Sequence, residues 1–140
     1  MIFALLPNQE TESYRRFFKQ VYRLVGIAPR SIIIDFEAAA RNAVLEVFDG
    51  VEVSGCNFHF KQAINRNARK HLKKAYFTSK RAAVCYLHYL PYFPEIAIPR
   101  CYIILKDNGV FGSLPEEMLT YYEKTWVRHW RINKRTNTAR

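Results

Sequence analysis

Apolar runs broken by acidic residues and glycine give the first 60 residues the order strand, helix, strand, helix, strand. Ile2 to Leu6 is a short apolar run closed by Pro7, which reads as a strand. Glu10-Thr11-Glu12 opens a helix with acid in its first turn, where unpaired N–H groups and the helix dipole favour negative charge. Tyr14, Phe17, Phe18, Val21, Leu24 and Val25 recur at helical spacing, and Gly26 supplies the residue that ends the helix. In Ser31-Ile32-Ile33-Ile34-Asp35-Phe36-Glu37 the consecutive isoleucines predict a strand that is apolar, and therefore covered, on both faces. Ala38 to Phe48 is again helical, with Ala40, Ala43, Val44, Val47 and Phe48 on one stripe, and Asp49-Gly50 turns the chain. Val51, Val53 and the Cys56-Asn57-Phe58 region predict another strand. The order implies a three-layer α/β unit with parallel neighbouring strands.

From His59 the pattern becomes helical and basic, through Phe60, Ala63, Ile64, Asn67 and Ala68 towards Tyr76. Tyr86 to Leu105 is rich in aromatics and prolines. Within it Cys101 to Leu105 reads as a strand or, with Pro99 at a first helical position, as a short helix, the reading we prefer. Leu114-Pro115-Glu116-Glu117 starts a last helix in which Met118, Leu119, Tyr122, Trp126 and Trp130 recur at helical spacing. We expect two regions, an α/β core over 1–77 and a helical region with a basic tail over 78–140.

Composition narrows the class. A 140-residue chain is about one domain, and a hydrophobic fraction of 49% argues against disorder. No apolar run approaches the roughly 20 residues a bilayer needs, so no membrane span is expected. Met1 to Pro7 lacks the basic start and small-residue cleavage site of a leader, and three cysteines in such a chain point to reduced thiols in a nuclear or cytoplasmic setting. Basic residues outnumber acidic ones 22 to 12. The excess is segregated: no Asp or Glu lies between Val53 and Pro94, while Lys61, Arg66, Arg69, Lys70, Lys73, Lys74, Lys80 and Arg81 all do. A second basic stretch runs from Lys124 to Arg140. Such segregation is the footprint expected for a polyanionic partner, above all DNA, with the helix from Lys61 to Lys74 as the contacting element.

Candidate chemistry gathers at the end of the isoleucine strand, because ligands of open α/β sheets bind at strand carboxyl ends. Asp35 sits there. Glu37 shares its face only if the strand continues through it, and otherwise belongs to the first turn of the next helix. Cys56 and His59 form a Cys-x-x-His pair that Cys85 and His88 repeat. Two such pairs could supply a tetrahedral zinc site, but the spacing matches no zinc finger, and a small buried hydrophobe is the commoner fate of each cysteine. Tyr14, Phe17, Phe18, Trp126 and Trp130 are simplest as core.

Phe3-Ala4-Leu5-Leu6-Pro7, Asp35-Phe36-Glu37-Ala38-Ala39 with Asn42-Ala43, Phe48, and the run Gly55-Cys56-Asn57-Phe58-His59-Phe60-Lys61-Gln62-Ala63 together resemble the Mutator-like element (MULE) transposase domain. The resemblance is strongest from Ile32 to Ala63. It extends loosely through Leu90-Pro91, Leu114-Pro115 and Tyr121 to Val127, and Arg135-Thr136-Asn137 is similar to the segment before the family's last catalytic acid. What it implies is a partial RNase H-like fold, a mixed sheet flanked by helices, with a helical C-terminal region. It also implies three acids holding Mg²⁺ for DNA strand cleavage and transfer, since hard cations need clustered carboxylate oxygens. Asp35 matches the second of these acids, and Cys56 and His59 match the family's Cys-x-x-His. The first acid is expected upstream of the Ala-Leu-Leu-Pro strand and the third just after the Arg-Thr-Asn segment, which would place both beyond the ends of this chain. A lone carboxylate leaves nearly every metal position to water. The expectation is therefore a transposase-derived fragment, catalytically incomplete and nuclear, that binds DNA non-specifically and self-associates or pairs with a full-length transposase. The alternative is a piece of an active DDE-type transposase, with Mg²⁺ bound once the missing acids are supplied.

Overall fold

Gly26 closes the first helix as the pattern predicts. Helix α1 spans Thr11–Val25, and Gly26, at φ 76°, donates its N–H to the Tyr22 carbonyl at 2.8 Å. This left-handed conformation costs glycine little and any other residue more. At the other end, Asn8 Oδ1 accepts from the Ser13 hydroxyl at 2.6 Å and from the Glu10 N–H at 3.2 Å. Glu12, in the first turn, pairs with Arg16 and Arg15, whose hydrogen bonds hold its carboxyl below the usual range.

The computed structural model describes residues 2–73 and 80–127. The chain is mixed α/β, mostly helical, and divides into two compact units, Met1–Phe60 and Lys61–Arg140. The expected boundary at residues 77 and 78 lies outside the described residues, as do Lys74, Tyr76, Trp130 and the basic tail from Arg128 onward.

In the first unit, strand β1 (Ser31–Ile34) is followed by helix α2 (Ala38–Val47) and strand β2 (Glu52–Gly55). The strands are parallel, with Ser31 opposite Glu52 and Ile34 opposite Gly55. Helix α2 is the crossover that parallel neighbours require. Its predicted stripe is the buried one: Ala40, Ala43, Val44 and Phe48 are all inside. The core is Val44, Phe48 and Val51, with Phe18, Ile32, Val47 and Val53 packed against it. The rings of Phe18 and Tyr22 meet Phe48 edge-on, with centroids 6.1 and 5.9 Å away. Gly50, at φ 71°, makes the turn into β2.

Three expectations for this unit are corrected. Residues 2–6 are not a strand: they pair with no other segment among the described residues, and Phe3 and Leu5 lie open to solvent. An apolar run becomes a strand only when a ladder partner takes its N–H and C=O groups. The isoleucine strand is covered on one face instead of both. Ile32 and Ile34 are half-buried, but Ile33, which points the other way, is 73% exposed. The described unit thus has two layers, helices on one face of a two-stranded sheet, and not three. Finally, β2 ends at Gly55, and Asn57 and Phe58 already belong to the next helix.

Helix α3 (Asn57–Leu72) begins in the last residues of the first unit and continues into the second, ending at Lys73 with φ 50°. The second unit then holds helix α4 (Arg81–Tyr89), a 3₁₀ turn at Leu90–Tyr92, helix α5 (Ile98–Asp107), helix α6 (Glu116–Tyr122) and a π-helical turn at Glu123–Val127. The helical reading of Cys101 to Leu105 holds, with proline in the first turn of α5. Met118, Leu119, Tyr122 and Trp126 are buried as their spacing predicts. Phe111, Tyr102 and Tyr122 stack in that order, with centroids 5.5 and 5.6 Å apart. Tyr102 and Lys106 both donate to Glu123 Oε1, at 3.0 and 2.8 Å, which fixes the π-helical turn against α5. No helix among the described residues is long and apolar enough to cross a membrane.

Candidate functional site

Both parallel strands end at the same level, so the residues that follow them become neighbours. Asp35 follows Ile34, Cys56 follows Gly55, and the Cys56 N–H donates to the Ile34 carbonyl at 2.7 Å. Asp35 is exposed. Its Oδ1 accepts the Glu37 N–H at 3.3 Å, a short-range bond that turns the chain from β1 into α2. Glycine at position 55 also belongs to this corner: a Cβ there would lie 2.5 Å from the Phe36 ring, so the strand end keeps the ring only without a side chain.

Glu37 occupies the N-cap position of α2 in extended conformation, but its carboxylate caps nothing. Oε2 accepts instead from the Tyr14 hydroxyl at 2.8 Å, tying α1 to the start of α2. That bond, together with burial and the nearby Asp35 charge, raises the Tyr14 phenol above its ordinary value. Because β1 stops at Ile34, Glu37 does not share a strand face with Asp35. Tyr14, read from sequence as core, is therefore a polar partner at the site. Only its distance of 23 residues from Glu37, bridged by the fold, hid that role.

Cys56 is a half-buried free thiol, and His59 is an exposed side chain in the first turn of α3, its ring edge-on to Phe58 at 5.5 Å. The first unit thus brings Asp35, Glu37 and Cys56 to the sheet end and carries His59 on the helix that follows. Among the described residues no group of three or more His, Cys, Asp or Glu side chains is placed to hold a metal ion. Asp35 by itself supplies one carboxylate, whereas a pair of divalent cations needs clustered oxygens.

In the second unit the basic residues of α3 sort by helical position. Ile64, Ala68 and Leu72 form the buried stripe, while Arg66, Arg69 and Lys70 are exposed on the opposite side, within an arc of roughly 100°, and Lys73, one residue past the helix, is exposed as well. Lys61 is apart from them. It is half-buried, with its ammonium 5.3 Å from the Tyr92 ring centroid and donating to the Tyr92 hydroxyl at 3.2 Å. Lys74 lies outside the described residues.

The second Cys-x-x-His pair is on α4. Cys85 and His88 are half-buried, and His88 Nε2 is buried with no hydrogen-bond partner among the described residues. Burial, helped by the Lys61 charge, lowers the His88 pKa from its ordinary 6.5. The unfolded chain therefore takes up this proton first as pH falls. Stability from this group is complete above about pH 6.5 and is lost as pH drops through the folded value. Thermal melts between about pH 7.5 and 5 are expected to show a falling midpoint, and His88→Leu should flatten that fall. An identical profile in the variant would remove His88 from the account.

The family model for the MULE transposase domain matches residues 1–63. This match is consistent with a MULE domain fragment. The match spans α1, β1, α2, β2 and the start of α3, and so includes Asp35, Glu37, Cys56 and His59. The match does not extend to Leu90-Pro91, Leu114-Pro115 or Tyr121 to Val127. No curated protein and no solved structure matches the chain.

Proposed function

We propose that the chain is a transposase-derived protein that binds DNA without sequence preference through the outer face of α3. The observation that carries this reading is the exposed arc of Arg66, Arg69 and Lys70, with the exposed Lys73 just past its end. The stretch around it, from Val53 to Pro94, contains no acid to repel phosphate. Each phosphate neutralised releases condensed counterions and adds about 0.9 to the slope of log affinity against log salt. Duplex affinity is expected to fall steeply between about 50 and 200 mM salt. The double variant Arg69→Gln, Lys70→Gln should weaken unrelated duplexes equally and flatten the slope by about 2. Binding that ignores salt, or a slope that the variant leaves unchanged, would refute the reading.

A partial RNase H-like architecture is the fold we infer for the MULE segment. It is supported by the parallel β1–β2 pair with its α2 crossover and by an acid at the strand end. The position of Asp35 also favours a second reading, a piece of an active DDE-type transposase. In that case Asp35 would be one ligand of a Mg²⁺ centre, the metals would stabilise the attacking and leaving oxygens of DNA strand cleavage, and the remaining acids would come from outside the described residues. Glu37 is held by Tyr14 and does not complete the set. We expect the chain alone to leave supercoiled DNA intact in Mg²⁺. Cutting that disappears in Asp35→Asn would reject the catalytically incomplete reading and establish the second. On either reading the place of action is the nucleus.

A further inference from the structure

The outward face of α4 carries aromatic rings where a solvent-facing helix ordinarily carries charge. Ala83, Val84 and Leu87 are buried, which leaves Ala82, Tyr86 and Tyr89 on the opposite side. Tyr86 is 49% exposed, Tyr89 60%, and Tyr92, in the following 3₁₀ turn, 63%. The rings of Tyr89 and Tyr92 are neighbours, with centroids 6.2 Å apart and planes tilted by 44°. Lys61 holds its ammonium over the Tyr92 ring and donates to its hydroxyl, so positive charge stands directly beside the aromatic surface. All of these residues fall within the acid-free stretch from Val53 to Pro94.

We propose that Tyr86, Tyr89 and Tyr92 form a stacking platform for the unpaired bases of a single-stranded nucleic acid. Charge complementarity selects this occupant over an apolar protein surface: a phosphate chain is drawn to Lys61 and the acid-free stretch, and its bases supply the π-faces that exposed tyrosines accept. A duplex keeps its bases stacked on one another and cannot offer them. The inference rests on the phosphate reading above for its electrostatic attraction and adds recognition of the bases.

Fluorescence anisotropy with the full chain tests it, comparing an oligothymidylate with an abasic oligomer of the same length and charge. The oligothymidylate is expected to bind about tenfold or more tightly, the scale of one well-stacked base. Tyr89→Ala and Tyr92→Ala should each erode that preference, Tyr89→Phe and Tyr92→Phe should keep it, and duplex affinity should change by less than about twofold throughout. Photocrosslinking of a 5-iodouracil oligomer to the wild-type chain gives a readout independent of variant folding, and adducts are expected on Tyr86, Tyr89 or Tyr92. Equal affinity for the two oligomers, or adducts confined to other residues, overturns the proposal. Salt-sensitive duplex binding with no base preference would sink this inference alone and leave the phosphate reading standing. A base preference kept while duplex binding fails would do the reverse. Binding to neither oligomer would overturn the proposal.

Discussion

Phe48→Ala is expected to unfold the first unit or bring it close to unfolding. Phe48 is 4% exposed at the end of α2 and, with Val44 and Val51, forms the cluster at which α1, β1, α2 and β2 meet. Phe18 comes from α1, Ile32 from β1, Val44 and Val47 from α2, and Val53 from β2. Two of its neighbours, Phe18 and Tyr22, approach edge-on, so the substitution removes aromatic contacts as well as buried area. Truncating a buried Phe to Ala costs about 3–5 kcal/mol, part of it for the cavity left behind. In a unit of this size about 1 kcal/mol moves the midpoint by roughly 4–8 °C, so the melt should shift down by about 12 °C or more. Phe48→Leu fills most of the space and should cost much less. A shift of only a few degrees in the alanine variant would show that α1 and the sheet do not share this core.

The local elements were legible because each carries its own signal. Gly26 after α1, the Ala40-Ala43-Val44 stripe of α2, Gly50 before β2 and proline opening α5 are read from neighbours in sequence, and all appear where expected. What failed depends on partners distant in sequence. Ile2 to Leu6 has the composition of a strand, but composition does not supply a ladder partner. Ile33 looked as buried as Ile32 because the run is uniformly apolar, and only the layer on one side decided which of them is covered. Helix α4 went unread in a stretch where aromatics and proline mask the helical period.

The candidate site divides along the same line. Asp35, at a strand's carboxyl end, was legible from chain order, whereas Cys56 was read as part of the next strand and meets the end of β1 because β2 stops one residue before it. The destination of Glu37 could not be read this way. Its hydrogen bond to Tyr14 depends on how α1 packs against α2, which no local pattern encodes. Lys61 shows the same limit: it belongs to a basic run, yet its helical position turns it from the Arg66–Lys70 arc toward Tyr92.

Tyr122→Ala should destabilise the second unit as severely as Phe48→Ala does the first, and Tyr122→Phe separates the causes. Tyr122 is fully buried, its ring stacks on Tyr102 at 5.6 Å, and its hydroxyl donates to the Leu87 carbonyl at 2.9 Å. The need for that last bond is written in the sequence. In an unbroken α-helix the Leu87 carbonyl would accept from the residue four positions on, but that residue is Pro91, which has no N–H. Tyr122 supplies a donor that proline withholds, from a helix 35 residues away. Burial also raises the phenol well above its ordinary value, so it stays a donor across the physiological pH range. Removing the hydroxyl leaves a buried carbonyl short of this partner, a cost of about 1–3 kcal/mol. Removing the ring as well opens a cavity beside Tyr102, for about 3–5 kcal/mol in all. Denaturant melts should therefore rank wild type above Tyr122→Phe and Tyr122→Ala last. If the phenylalanine variant were as stable as wild type, the Leu87 carbonyl would have to be satisfied by another donor, and the end of α4 would not depend on α6.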